Sequence, residues 1–249
     1  MASISRKSVK LLCNELDAGL IGLLETKVKM NKIKEVASSM FGGWEYRTNH
    51  NSHYNGRIWI VWRSDWYGVD VKSESAQVII TCHVRFIPSQ VQFYVTFLYT
   101  FNTKEERSEL WDYLRQIHLN CAESWIILGD FNSVLHPEDR IGGNLVTLGE
   151  VVDFQKCLDD YVLEEMSNTG CQFTWNDKQV IDGVFSKIYW VLANGDWLDT
   201  MPQCVVDVLP EGVSGHCPLM VKLVEDRIKK QGAFKFCNIW STSFEFCLL

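Results

Sequence analysis

Three apolar runs in this chain are bounded by residues able to do phosphate chemistry. The most informative is Trp125-Ile126-Ile127-Leu128-Gly129-Asp130-Phe131-Asn132, where an apolar segment delivers an acid and an amide at its end. In extended backbone, residues i and i+2 share a face. Asp130 and Asn132 would then project into one cleft, suited to holding a water and a phosphate oxygen beside a metal, while Phe131 turns into the core. The competing reading is a strand closed by an Asx turn, in which the same side chains bond nearby backbone groups. Glu25 follows a second run, Leu20-Ile21-Gly22-Leu23-Leu24, and offers carboxylate oxygens to a hard cation such as Mg²⁺. His216, in Ser214-Gly215-His216-Cys217-Pro218, precedes the third run and could act as general acid/base or stabilise charge on a phosphate. Taken singly, a Glu at a strand end and a His at a strand start are ordinary edge residues.

The elements that must position these groups are legible from periodicity. Val9, Leu11, Leu12 and Leu16 predict a helix over 8–17 stopped at Gly19, then a buried strand over 20–24 and a helix over 31–40. β-branched and aromatic segments at 44–48, 57–62, 77–86 and 91–99 predict an antiparallel meander. Thr103, with Glu106 completing a capping box, opens a helix over 103–117 that leads into the strand 125–128. A helix near 148–160 and strands near 173–175, 184–192, 205–209 and 216–224 complete the pattern. The order predicts two packed β-sheets with helices outside.

Composition narrows the function classes. The 249 residues suit one large domain, and 47% hydrophobic and 12% aromatic residues, ten of them Trp, provide enough core to offset ordering entropy. A net charge of −7 argues against an avid nonspecific nucleic-acid binder but permits a local basic groove. Nine Cys without a CxxC pair suit reduced thiols and an intracellular setting, nucleus or cytoplasm. Neither a signal peptide nor a membrane span is expected, so no membrane partner is; the chain is expected to be a monomer.

The order of the pieces is more specific than any one of them. Glu25 in Leu-Leu-Glu-Thr-Lys, Tyr99 and Asn102 in Leu-Tyr-Thr-Phe-Asn, Asp130 and Asn132 in Gly-Asp-Phe-Asn, Thr174 in Phe-Thr-Trp and His216 in Ser-Gly-His-Cys-Pro resemble successive motifs of the endonuclease/exonuclease/phosphatase superfamily. His136–Asn144 and Phe173–Lys178 resemble the endonucleases of plant LINE (non-LTR) retrotransposons. The resemblance covers about residues 8 to 240. It implies an α/β (α+β) fold, a four-layered sandwich of two mainly antiparallel sheets flanked by helices. It also implies Mg²⁺- or Mn²⁺-dependent phosphodiester hydrolysis, with DNA as the ancestral substrate. Glu25 would be the metal ligand and Asp130 would activate water. Asn132 would position that water, Tyr99 and Asn102 would orient the phosphate, His216 would stabilise the transition state, and Thr174 would touch substrate. Residues 1–228 would form this domain, and 229–249, including Gly232–Trp240, would resemble the start of a connector toward an absent reverse transcriptase.

Three departures predict a damaged site. The family's first strand and its Asn are not supplied by Met1–Ser5, which would leave a gap in a sheet. Tyr189 stands where relatives carry an Asp that orients the His, and Gly215 stands where they carry a second Asp. A neutral phenol cannot stabilise an imidazolium as a carboxylate does. Restoring both acids is expected to recover cutting better than restoring either. Two other readings compete: an inactive remnant that at most binds nucleic acid or another macromolecule, and a small phosphoester or phosphoinositide phosphatase.

Overall fold

A computed structural model describes residues 6–52, 56–75, 79–121, 123–211 and 215–223. In chain order the elements are α1 (Arg6–Glu15), β1 (Leu20–Leu23), α2 (Ile33–Met40), β2 (Glu45–Thr48), β3 (Trp59–Trp62), β4 (Tyr67–Ser75), β5 (Ile79–Phe86) and β6 (Val91–Tyr99). Then come α3 (Lys104–Asn120), β7 (Trp125–Asp130), β8 (Arg140–Ile141), α4 (Leu148–Tyr161), β9 (Leu163–Glu165) and β10 (Asn168–Gly170). The last are β11 (Trp175–Asn176), β12 (Phe185–Ser186), β13 (Tyr189–Asn194), α5 (Gly195–Thr200), β14 (Val205–Val208) and β15 (Leu219–Lys222).

The period of two in the strands builds the layers. A six-stranded sheet runs β4-β5-β6-β7-β13-β9, antiparallel throughout except for the parallel pair β6 and β7. On one face, Ile80, Cys82, Val84, Phe93, Val95, Phe97, Ile126 and Val191 meet Ile60 and Trp62 of β3 and Val206 of β14. On the other, Ile79, Leu98, Trp125, Ile127, Trp190 and Leu192 meet Leu110 and Leu114 of α3 and Phe154, Cys157 and Tyr161 of α4. Phe154 is fully buried, stacked on Trp111 at 5.3 Å and on Phe131 at 5.0 Å and edge-on to Trp190 at 5.7 Å. Burying one such ring stabilises the fold by about 1.5–3 kcal/mol. The second layer comprises two three-stranded sheets, β1-β3-β2 and β10-β14-β15, and α2 covers Trp59 of β3 from outside. A small sheet, β11-β12-β8, lies beside them.

The expected α/β sandwich is therefore present, with local corrections. The expected meander divides between sheets: 44–48 and 57–62 contribute β2 and β3 to the second layer, while 77–86 and 91–99 contribute β5 and β6 to the first. The sequence reading passes over β4, whose half-buried edge carries Asp70, Lys72 and Glu74 among its apolar residues. The run 184–192 breaks at Lys187 into β12 and β13. Helix α1 ends at Glu15 and Asp17 takes the left-handed backbone, at φ 45°. Gly19 serves packing instead, since a Cβ there would lie 2.7 Å from the Tyr67 ring and 2.8 Å from that of Trp66. The Glu106 side chain, Ser214 and the 232–240 segment lie outside what is described.

Candidate active site

Strand register brings the core of the site together. Tyr99 on β6 pairs with Asp130 on β7, and Asp130 pairs with Tyr189 on β13, so the three side chains share one face at one level of the sheet. Beneath them Phe97, Leu128 and Val191, two residues back or on, point into the apolar cluster between the layers. Glu25 arrives from the turn after β1, and Tyr99 Oη donates a short hydrogen bond to its carboxylate. Glu25 and Lys27 both hold left-handed backbone, at φ 51° and 49°, which is costly for residues with a Cβ. Thr26 between them anchors the turn, donating from N to Arg57 O (3.3 Å) and from Oγ1 to Gly56 O (3.0 Å).

The extended backbone does not continue past Asp130. Asn132 has φ 45°, and its N–H donates to Asp130 Oδ1 at 2.9 Å, so the Asx turn is what forms. It still aims both groups at the cleft while Phe131 is fully buried behind them. Asn132 Nδ2 donates to Thr100 O at 2.7 Å, fixing the amide. Asn102 stands exposed three residues beyond Tyr99, its carbonyl held by Arg107 Nη1 at 2.7 Å.

Asp130 is 2% exposed, and burial, opposed by the Asn132 N–H and reinforced by the charge of Glu25, pushes its carboxyl up to about 8. It therefore holds a proton through most of the neutral range. Burial raises the Tyr99 phenol, and so does its bond to Glu25. Two cations that motif reading passed over flank Glu25: Lys27 Nζ and Arg57 Nη1, each 3.7 Å from its oxygens. The Arg57 guanidinium also lies 5.7 Å from the Tyr99 ring centre. Its only sequence signal is its place after Gly56, where a Cβ would strike the His50 ring at 2.2 Å.

The far wall is built differently. His216 bridges to Trp175 of β11, with Gly215 O accepting from Asn176 N (2.8 Å) and Cys217 N donating to Thr174 O (2.8 Å). The Tyr189 ring stacks on His216 at 5.3 Å and 23°. Burial lowers the imidazole, with Glu25 pulling it up and Lys27 pushing it down, so His216 is neutral near pH 7. Tyr189 is raised far above the phenol range by burial and then by the charges of Asp130 and Glu25, so it is neutral too. Thr174 is 1% exposed, and its Oγ1 accepts from Ile188 N and Tyr189 N, both at 2.9 Å. Its hydroxyl fixes the backbone that carries Tyr189. In the loop that follows β11, Asp177 Oδ1 accepts from Gln179 N at 3.0 Å and Asp182 takes left-handed backbone at φ 55°.

The model of the Endonuclease/Exonuclease/phosphatase family matches residues 3–198. The chain belongs to this family. Among solved structures, the family fold recurs in the endonuclease domain of TRAS1, a telomere-specific non-LTR retrotransposon, at 11% identity and TM-score 0.67 over 91% of this chain and 95% of that one. A mannosyl-6-phosphatase of Bacteroides thetaiotaomicron is similar at 16% identity and TM-score 0.56, over 88% of this chain and 90% of the other. The catalytic domain of human Nocturnin is similar at 13% identity and TM-score 0.52, over 87% and 86%. No curated protein matches the chain. The family fold thus carries both nuclease and phosphatase names, and the likeness to a retrotransposon endonuclease domain agrees with the motifs. Among the described residues no helix is long and apolar enough to cross a membrane.

The family implies a divalent ion beside the oxygen donors of this site. Glu25 and Asp130 present carboxylate oxygens, as a hard cation requires, and the charge of Glu25 adds to the burial that raises Asp130. A cation would offset that charge. The fit is that of one carboxylate ligand with retained water, since the described residues contain no group of three or more His, Cys, Asp or Glu arranged around a common point.

Proposed function

We propose that the chain is a metal-dependent phosphodiester hydrolase of the retroelement endonuclease type, with DNA as substrate and with turnover held down by the residues around His216. The observation that carries this reading is the convergence of Glu25, Tyr99 and Asp130 with Asn132, delivered from the ends of β1, β6 and β7 onto one face. Mg²⁺ or Mn²⁺ at Glu25 would supply positive charge to the phosphate and leaving oxygen. Arg57 and the Tyr99 hydroxyl would bind non-bridging phosphate oxygens, with Asn102 at the rim. Asp130, once deprotonated, would take the proton of the attacking water that Asn132 orients. Neutral His216 would share a hydrogen bond with the phosphate without the charge that an adjacent carboxylate would sustain. Thr174 acts in this reading by positioning β13.

A specific observation favours a second reading: the Tyr189 ring covers one face of the His216 imidazole, and burial holds that imidazole neutral. In that case the cleft binds DNA without cutting it. Single-turnover cleavage of labelled duplexes, plain and abasic, in Mg²⁺ or Mn²⁺ separates the two. Slow cutting should rise with pH and level off at or below the metal-free Asp130 value of about 8, because the deprotonated acid is the working base. Binding without cutting at any pH selects the second reading. Release of phosphate from a small phosphoester, with DNA left intact, would move the assignment to a phosphatase.

A further inference from the structure

The second layer of the sandwich, among the described residues, is interrupted in its middle. Among the described residues β1 pairs only with β3 and β15 only with β14, so each has one edge without a strand partner. Both strands lie over the same face of the six-stranded sheet, with Leu20 of β1 and Leu219 and Val221 of β15 joining one apolar cluster. Glu25, two residues past the end of β1, bonds Tyr99, and His216, three residues before the start of β15, stacks on Tyr189, and these two tyrosines flank Asp130 on neighbouring strands. β1 therefore runs toward the active site and β15 away from it. Burial marks the gap between them: Trp59–Trp62 of β3 are 0–8% exposed, whereas Leu20, Ile21, Leu23, Leu219, Met220 and Val221 are all only partly buried. Apolar strands with open edges leave both backbone groups and side chains to be covered.

The chain itself continues from this place. Beyond Leu223, the residue after β15, 26 residues follow (249 − 223). The first of them carry Glu225, Asp226, Arg227, Lys229 and Lys230 and end at Gly232, a composition suited to a connection. Ala233-Phe234-Lys235-Phe236-Cys237-Asn238-Ile239-Trp240 carries one charge, with Phe234 and Phe236 on one face of an extended segment and Cys237 and Ile239 on the other. That pattern suits a strand buried on both faces. We propose that residues 233–240 enter the gap as an added strand, antiparallel to β15 and parallel to β1, joining the two three-stranded sheets into one layer. The orientation follows from connectivity, because a hairpin return from β15 is antiparallel to it, whereas a parallel return needs a crossover of about a dozen or more residues. The strand would bring its far end to the active site and close the apolar gap beneath it. The inference rests on the sheet edges and stands whether or not the chain cuts DNA.

Hydrogen exchange on the full chain, dilute enough for light scattering to show a monomer, tests it. Amides of 233–240 should exchange about tenfold or more slowly than those of 224–232, together with protected amides in β1 and β15. Phe236→Asp should release all three segments while β5 and β6 stay protected, and a synthetic peptide of residues 230–242 should restore protection to β1 and β15. If β5 and β6 are released as well, Phe236→Ser and the unmodified chain decide by the same pattern. Fast exchange of 233–240 in the unmodified monomer would overturn the proposal. Protection that appears only as dimers form would overturn it in favour of a second copy filling the gap.

Discussion

The cleft wall built by β1, β6 and β7 and the wall built by β13 and the approach to β15 are held with similar care, yet they differ in chemistry. On the first wall, the Thr26 and Asn132 hydrogen bonds and the Tyr99–Glu25 contact fix four groups whose types suit phosphate transfer. On the second, an equally tied backbone presents a neutral phenol stacked on a neutral imidazole. At Gly215 the backbone leaves no room for a side chain: a Cβ there would lie 2.1 Å from Asn176 O. Fixing a backbone and choosing its side chains are separable, because the hydrogen bonds that hold Tyr189 come from Thr174 and are indifferent to the residue they carry.

The largest expected effect tests the first wall. Asp130→Ala should lower whatever cutting the chain shows by about 10²–10⁴-fold, the range for loss of a general base; equal rates would remove Asp130 from the chemistry. The same residue should govern stability. Its unfolded value is near 3.8 and its folded value about 8, so folding takes up a proton between them. The stability present below the lower value is lost as pH rises toward the upper one. Urea midpoints should therefore fall from pH 5 to pH 8 and flatten in Asp130→Asn; an unchanged slope would mean that Asp130 is charged in the folded chain.

A smaller effect, of opposite sign, tests the second wall. Tyr189→Asp should raise single-turnover cutting by about tenfold or more, since a carboxylate beside His216 stabilises the imidazolium. Gly215→Asp should not add to it. The clash with Asn176 should lower the melting temperature and blunt the gain, contrary to the expectation from motifs that restoring both acids is best. A double variant faster than Tyr189→Asp and no less stable would show that this loop yields easily.

Much of this was legible in the sequence. The apolar runs before Glu25 and Asp130 and after His216 placed three strands and their terminal groups, because a buried strand must alternate or saturate its faces and then stop at a polar residue. The motifs also singled out Tyr99, which the fold sets beside the acids. The role of Arg57 was not legible: a lone cation after a turn glycine has no periodic signal, and only the fold folds it back over Glu25. Nor was the backbone at Asn132, because Asp-x-Asn is compatible with both an extended strand and an Asx turn, and tertiary packing of Phe131 decides between them. The split of Trp44–Thr48 and Arg57–Trp62 from the later strands was hidden for a similar reason: pairing partners are set by layer packing, not by order along the chain.

The smallest expected change in rate separates positioning from substrate contact at Thr174. Its hydroxyl is buried and accepts from two backbone N–H groups, those of Ile188 and Tyr189. Thr174→Val keeps the shape but leaves both donors without that acceptor, a loss of roughly 1–3 kcal/mol for a buried group left unsatisfied. Thr174→Ser keeps the oxygen and should cost little beyond a methyl group. If Thr174 positions β13, the Val variant should melt lower while DNA affinity changes little and cutting falls only a few-fold, by about 1 kcal/mol or less in barrier. Ser should restore both. In a Tyr189→Asp background the Val change should bite harder, because an acid that must meet His216 depends on its backbone more than a stacked ring does. A Thr174→Val variant with unchanged melting temperature and weakened DNA binding would return Thr174 to direct substrate contact, and with it the second wall to a share in recognition.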